Sequence, residues 1–336
     1  MKPEYEALLR PYFENVPFPE IAGEKPLVSI ITPYYNNAQY LEEFLESVFA
    51  QTYKNWEMLF VDDASPDEIA EMAVKRYNDT RIKFHRLENN SGGAVARTVG
   101  FSMSSGEYVL CFDPDDIMHP WHLQALMAEA LSSKSPDIVM MNLICFGAKT
   151  AHRTSVVRTE RELTTQQWIP GQSLAKRKLW LATGGQSAAP EIRFGSQDWE
   201  FWLHCFEKCA PLTVAHVPLP TFLYRQHPTA LCSKSDHYEY KIRSRIIADH
   251  PSIFARYGTI QQFLAQGYTK TVFAMAVVGQ WRKMALVLWE GGKKIPFCLY
   301  ITTLARWGIQ KARTALSIHV KRPLFRALGI PVRDNS

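Results

Sequence analysis

Apolar positions along this chain switch period in a regular order. Leu27-Val28-Ser29-Ile30-Ile31-Thr32 is a β-rich run that Pro33 is expected to stop, followed by the turn Tyr34-Tyr35-Asn36-Asn37. Leu41, Phe44, Leu45, Val48 and Phe49 then recur at helical spacing. Trp56 to Val61 predicts a second strand, residues 67–77 a second helix and Ile82 to Leu87 a third strand. The loop Asn89-Asn90-Ser91-Gly92-Gly93 leads to a third helix over 94–104. Tyr108-Val109-Leu110-Cys111-Phe112 reads as a short, fully buried strand that ends before Pro114, which cannot extend a ladder. Alternation of this kind predicts an α/β fold with a parallel sheet and helices on both faces.

Three of these strands run into small, polar or acidic residues: Thr32 to Asn36, Asp62-Asp63, and Asp113-Pro114-Asp115-Asp116. A parallel sheet gathers such ends at one edge, where open α/β sheets bind ligands. Three carboxylates so close together repel one another. Either they bridge a hard divalent cation to a phosphorylated ligand, or they form a solvated turn that starts the next helix. No Gly-x-Gly-x-x-Gly follows the first strand and no phosphate loop ending in Gly-Lys-Ser/Thr is present. Neither a nicotinamide enzyme nor a P-loop ATPase is supported.

Composition adds constraints. With 336 residues, 46% hydrophobic and 21% charged, the chain can bury one large core or two smaller ones. The six cysteines show no metal or disulfide framework, so a reducing, cytoplasmic setting is expected. Cys205 and Cys209 share a helix face by spacing. The first residues lack an apolar signal core, and no apolar run reaches the roughly eighteen residues of a spanning helix. Charge is uneven: residues 241–336 hold 16 Lys+Arg against 3 Asp+Glu, or +13, leaving −8 on residues 1–240 of a chain that totals +5. Trp281, Trp289 and Trp307 lie beside basic residues in this helix-patterned tail. Two readings stand: a peripheral contact with an anionic membrane surface, or a helical subdomain with its basic face in water. Nucleic acid is not expected, because no binding motif accompanies the charge.

Several motifs in order carry a specific resemblance. Val28 to Ser65, Gly92-Gly93-Ala94-Val95-Ala96-Arg97, Ser105-Gly106-Glu107-Tyr108, Asp113 to Asp116, Gly184-Gly185, Gln197 to Trp202 and Tyr224-Arg225-Gln226-His227 resemble family-2 glycosyltransferases. Those are inverting enzymes of the GT-A fold. The resemblance covers roughly residues 26–235 and implies a GT-A catalytic domain over 26–237. Residues 26–118 would form its nucleotide-binding half and 119–237 its acceptor half, between a lead-in (1–25) and a basic helical region (238–336).

The resemblance assigns Thr32, Tyr34 and Asp62 to the nucleoside, with the Tyr34 ring able to stack on a base; Asp63 is the alternative to Asp62. Gly92 and Gly93 would let backbone approach a diphosphate, and Arg97 would pair with a phosphate or a site carboxylate. Asp115 is the first choice as ligand to Mg²⁺ or Mn²⁺. Asp116 is a ligand or its support, and Asp113 contacts ribose or the sugar. Asp198, at the start of a helix with an apolar stripe, is the expected catalytic base, and His227 is placed near the diphosphate or metal. Thr98 and Gln197 stand where the family commonly has Asn and Glu. The implied activity is inverting, metal-dependent transfer from a nucleotide-diphospho-sugar, uridine-linked by expectation. The implied acceptor is a lipid-linked or other surface glycan at the cytoplasmic face. The alternatives are a catalytically silent sugar-nucleotide-binding scaffold and a nucleotidyltransferase on a similar sheet.

Overall fold

Four strands form where the apolar runs place them: β1 (Val28–Tyr34), β2 (Trp56–Asp62), β3 (Ile82–Arg86) and β4 (Tyr108–Cys111). The computed structural model describes residues 2–227 and 235–296, together with 299, 302, 303 and 305. Cys232, Cys298, Trp307, half of the apolar piece Ile295–Leu304 and the basic stretch from 306 onward lie outside the described residues.

β1 to β4 are parallel and ordered β3-β2-β1-β4. Strand order therefore reverses between β1 and β4, which makes the carboxyl ends of these two strands flank a topological switch point. α2 (Ala38–Phe49) packs Leu41, Phe44, Leu45 and Val48 into one core with Val28, Ile30 and Phe60. On the other face α4 (Gly93–Met103) brings Gly100 so close that an added Cβ would lie 2.7 Å from Ile31. α3 (Ile69–Tyr77) completes this half, adding Ala70 and Val74 to the first core.

One strand runs further than expected. β1 continues through Pro33, which pairs with Val61, to Tyr34, which pairs with Asp62. Its pairing with β4 ends at Ile31 and Cys111. The missing N–H of Pro33 thus falls where one neighbour has already left the ladder, so the proline costs no bond.

The second half is mixed. It comprises β5 (Ile117–Met118), α5 (His122–Ala130), β6 (Ile138–Gly147), β7 (Ala151–Arg153), α6 (Glu160–Leu163), β8 (Leu174–Lys176), α7 (Arg177–Thr183), a 3-10 turn at Ile192–Phe194, α8 (Gln197–Cys209) and β9 (Val214–Gln226). β8 is antiparallel to both β4 and β6, β6 is parallel to β9, and β5 closes the far edge. The β6–β9 register shifts around Asn142, opposite the segment of β9 that carries Pro218 and Pro220. A bulge is how a sheet tolerates such residues. The result is an α/β fold with a parallel half and a mixed half. The lead-in belongs to it as well: α1 (Pro3–Phe13) buries Tyr5 and Leu9 against Ile117, Ile144, Phe146 and Leu223.

The chain divides into two compact units, Met1–Ser235 with Arg245–Tyr257, and Asp236–Ser244 with Gly258–Ser336. α9 (Glu239–Asp249) begins in the second, and α10 (Pro251–Tyr257) belongs to the first. Within the second, α11 (Ile260–Val277) and α12 (Trp281–Lys294) share a core of Ala265, Tyr268, Val272, Met275 and Val287. Its buried Glu239 accepts from Arg243 at 2.8 Å and from Lys270 at 3.1 Å. No described helix is long and apolar enough to cross a membrane.

Glu57 fastens the end of the sheet away from the switch point. One oxygen accepts from Ser29 Oγ (2.8 Å), Ser105 N–H (2.6 Å) and Ser105 Oγ (2.9 Å), and the other from Lys83 Nζ (2.8 Å). Burial alone would raise this carboxyl, but Lys83 and the three hydroxyl and amide donors hold it at about 2. A folded-state value below the unfolded one contributes stability above about pH 4.5, and that stability fades as pH falls toward 2. Glu57→Gln is therefore predicted to lose on the order of 3 kcal/mol at neutral pH. Its denaturation midpoint should also vary less than that of the parent between pH 4.5 and 2.

Candidate active site

The carboxyl ends of β1, β2 and β4 bring Asp62, Asp63, Asp113, Asp115 and Asp116 to one edge, and α4 and α8 contribute Arg97 and Asp198. Arg97 is the hub. It donates to Asp113 Oδ1 at 2.6 Å, to Gln197 Oε1 at 2.9 Å and to Gln186 Oε1 at 3.3 Å. It also acts electrostatically on Asp198. Arg97 thus pairs with a site carboxylate, one of its two expected roles. Gln197, standing where a Glu is usual, keeps the hydrogen bond without adding a further negative charge.

Asp198 lies in the first turn of α8, whose Trp199, Phe201, Trp202, Leu203 and Phe206 are buried. Its Oδ2 accepts from Gln167 at 2.5 Å and its Oδ1 from the Trp199 N–H at 3.0 Å. Burial pushes this carboxyl above the ordinary carboxylate range, against the pull of Gln167 and Arg97. Gly171 presses on it, since a Cβ there would lie 2.8 Å from Oδ2. The next residue, Gln172, reaches Asp116 Oδ2 at 3.3 Å. One dipeptide therefore touches both Asp198 and the acidic loop, 82 positions apart in sequence.

The acidic loop is held from below. Arg225 gives its backbone N–H to Asp116 Oδ1 (2.8 Å), its Nε to the Asp115 carbonyl (2.7 Å) and its NH2 group to Glu43 (2.7 Å). Asp116 is almost fully buried, and both its oxygens are used by protein groups. Asp115 is turned the other way: its Oδ2 lies 2.9 Å from His227 Nε2. Burial raises Asp115, Asp113 raises it further, and His227 opposes both.

Asp62 and Asp63, inseparable by sequence, differ in structure. Asp63 accepts the N–H groups of Ser91 (2.6 Å) and Gly92 (2.7 Å), fixing the loop that enters α4. Gly92 there has φ +94°, a left-handed value that favours glycine. Asp62 uses Oδ1 on Ser65 and leaves Oδ2 buried without a hydrogen bond, with Arg86 at 3.6 Å. Thr32 Oγ1 and the Tyr34 hydroxyl are likewise buried without hydrogen-bond partners.

Stacking by the Tyr34 ring needs correction. It is 1% exposed and packs on Phe60 at 5.4 Å, whereas Tyr35 is 48% exposed. Successive residues at a strand end point to opposite faces, so the choice between two tyrosines decides which ring is open.

Gln167, Gln172, Arg225 and Arg193, which donates to Asn90 beside Gly92, were not foreseen as site neighbours. Arg225 alone sat inside a quoted motif. His119 and His122 are structural: His119 stacks on Phe13, and His122 bonds Thr221 at 2.8 Å. Burial lowers them to about 4 and about 3.

A switch-point edge with convergent carboxylates and one fixed guanidinium defines a nucleotide-type α/β site, and comparison makes the class specific. Residues 29–195 match the model of Glycosyl transferase family 2. TuaG of Bacillus subtilis (strain 168), a relative named for teichuronic acid biosynthesis, is 45% identical over 94 residues, which is 27% of this chain and 37% of that one. The chain spans well under half the length of such curated relatives. S. aureus TarS 1-349 in complex with UDP-GlcNAc superposes with a TM-score of 0.57 at 18% identity, over 72% of each chain. The mannosyltransferase PcManGT from Pyrobaculum calidifontis, in complex with GDP-Man and Mn2+, superposes with a TM-score of 0.55 at 18% identity, over 95% and 96%. The chain carries a family-2 glycosyltransferase domain on a GT-A type fold.

Asp63→Ala should free two amides and cost about 2 kcal/mol in a denaturation melt while sparing affinity for UDP. Asp62→Ala should show the reverse bias, with a larger loss in UDP affinity by calorimetry than in stability.

Proposed function

We propose that this protein is an inverting glycosyltransferase that moves a sugar from a nucleoside-diphosphate donor, a uridine diphosphate sugar by preference, to an acceptor hydroxyl. The observation that carries this reading is the shared Gly171-Gln172 contact, which sets Asp198 beside the Asp113–Asp116 loop within one site. In our assignment residues 26–118 bind the donor, 119–237 bind the acceptor, and 238–336 are accessory.

Nucleoside binding is assigned to Asp62, Thr32 and the exposed ring of Tyr35. The buried, unbonded oxygens of Asp62 and Thr32 are acceptor and donor capacity that a base or ribose would satisfy. Tyr34 supports this wall from the core. Gly92 leaves room for a diphosphate beside Arg193, and Asp113, fixed by Arg97, faces ribose or sugar.

A divalent cation fits the residues present. Asp115, desolvated and next to Asp113, is an oxygen donor with too little positive charge around it, and His227 offers a nitrogen beside it. Asp115 would hold Mg²⁺ or Mn²⁺ and His227 would lie at or next to it, while Asp116 orients the loop. The ion would supply charge neutralisation at the departing diphosphate.

Asp198 takes the acceptor proton. Gln167 and Gly171 fix the carboxylate, and burial, by raising its pKa, makes the ionised carboxylate a stronger base. Attack from the face opposite the diphosphate is a single displacement, which inverts the anomeric centre. The TuaG name and the TarS complex support an envelope glycan as acceptor class and a uridine donor. We place the reaction at the cytoplasmic membrane face. Trp281 and Trp289, each 61% exposed on α12 among Arg282, Lys283, Lys293 and Lys294, support a peripheral contact there.

Asp198→Asn is predicted to keep UDP-sugar affinity within about twofold while lowering turnover by about a hundredfold to ten-thousandfold. Loss of binding together with turnover would reduce Asp198 to a structural residue. Trp281→Ser with Trp289→Ser should reduce co-sedimentation of the full chain with phosphatidylglycerol vesicles. Unchanged sedimentation would remove the membrane assignment.

A further inference from the structure

Behind the catalytic turn of α8 lies a second cluster that the transfer reaction does not use. Glu200 and His204 stand one helical turn apart on α8, so they project from the same face. His250, just after α9 in the first unit, comes to meet them. One ligand-type atom from each of the three lies within 4.8 Å of the others. The His204 and His250 rings are 4.9 Å apart.

The surroundings are built rather than incidental. His250 places Nε2 2.8 Å from Glu200 Oε1 and Nδ1 2.7 Å from Glu207 Oε2. Glu207 is itself held by Ser252, and the second Glu200 oxygen accepts from the Ser187 N–H at 3.4 Å. An imidazole with one nitrogen at a convergence of ligands and the other on an outer carboxylate is the arrangement that fixes tautomer and ring angle at metal sites. Glu200 and His250 are almost fully buried. His204 is half-buried, and its ring stands beside the Glu200 carboxylate and the His250 imidazole.

We propose that Glu200, His204 and His250 form a site for a divalent transition metal of the zinc class, separate from the oxygen-donor site at Asp115. Two imidazoles and one carboxylate suit Zn²⁺, whereas Mg²⁺ prefers oxygen and keeps its waters. The fourth position is open to water or to the second Glu200 oxygen. The metal would tie the end of α9 to α8 two residues from Asp198. It would set the seat of the base rather than take part in transfer.

The test is a zinc titration of the full chain, stripped with chelator and kept in excess Mg²⁺, in three forms: parent, Asp115→Asn and His204→Ala. One equivalent of Zn²⁺ should bind in the parent and in Asp115→Asn, and His204→Ala should bind it at least about tenfold more weakly. Zinc bound equally by His204→Ala, or bound only when Asp115 is intact, overturns the proposal. Should His204→Ala fail to fold, X-ray absorption of the zinc-loaded Asp115→Asn protein decides. Two imidazole ligands support the site, and an all-oxygen or single-imidazole shell overturns it.

Discussion

The site depends on one ion pair with its extensions. Arg97 is a single guanidinium, only slightly exposed, and it holds Asp113 from the loop after β4, Gln197 from α8 and Gln186 from the loop before α8. A planar group with five donors can do this, and a lysine cannot. Without that cation, Asp113 would lose its ion pair and Asp198 the positive charge that opposes its burial. With it, two halves of different sheet character are fastened at the point where strand order reverses. Arg225 does the corresponding work underneath, tying Asp115, Asp116 and Glu43 into the floor.

This division of labour explains how four aspartates in two short motifs take different roles. Asp63 and Asp116 spend their oxygens on protein donors and shape the loops around Gly92 and Asp115. Asp62 keeps one oxygen buried without a hydrogen bond, and Asp115 turns an oxygen toward His227. Buried polar atoms left unbonded are costly, so they are most economically read as capacity reserved for a ligand.

The parallel half was legible because β1, β2 and β4 are largely apolar runs that lead into polar or acidic residues, β3 alternates apolar and polar positions, and the helices between them show apolar positions at helical spacing. The mixed half was not. β5 and β8 are two and three residues long, too short to show any period, and their directions follow from long-range pairing. Acidic members of the site could be read because carboxylates just after apolar strands are unusual. Gln167, Gln172 and Arg193 could not, since nothing local distinguishes them from loop residues; only folding brings them to Asp198, Asp116 and Gly92. The burial of the Tyr34 ring has a local reason. The strand runs through Pro33 to Tyr34, which carries Tyr34 into the core and leaves Tyr35 outside.

Anomeric outcome tests the account most directly, because a single displacement assisted by Asp198 allows only one. Hydrolysis of an α-linked uridine diphosphate sugar, with water as acceptor, can be followed by proton NMR before the free sugar equilibrates. The account predicts that the β-anomer appears first. An α-anomer appearing first would contradict it.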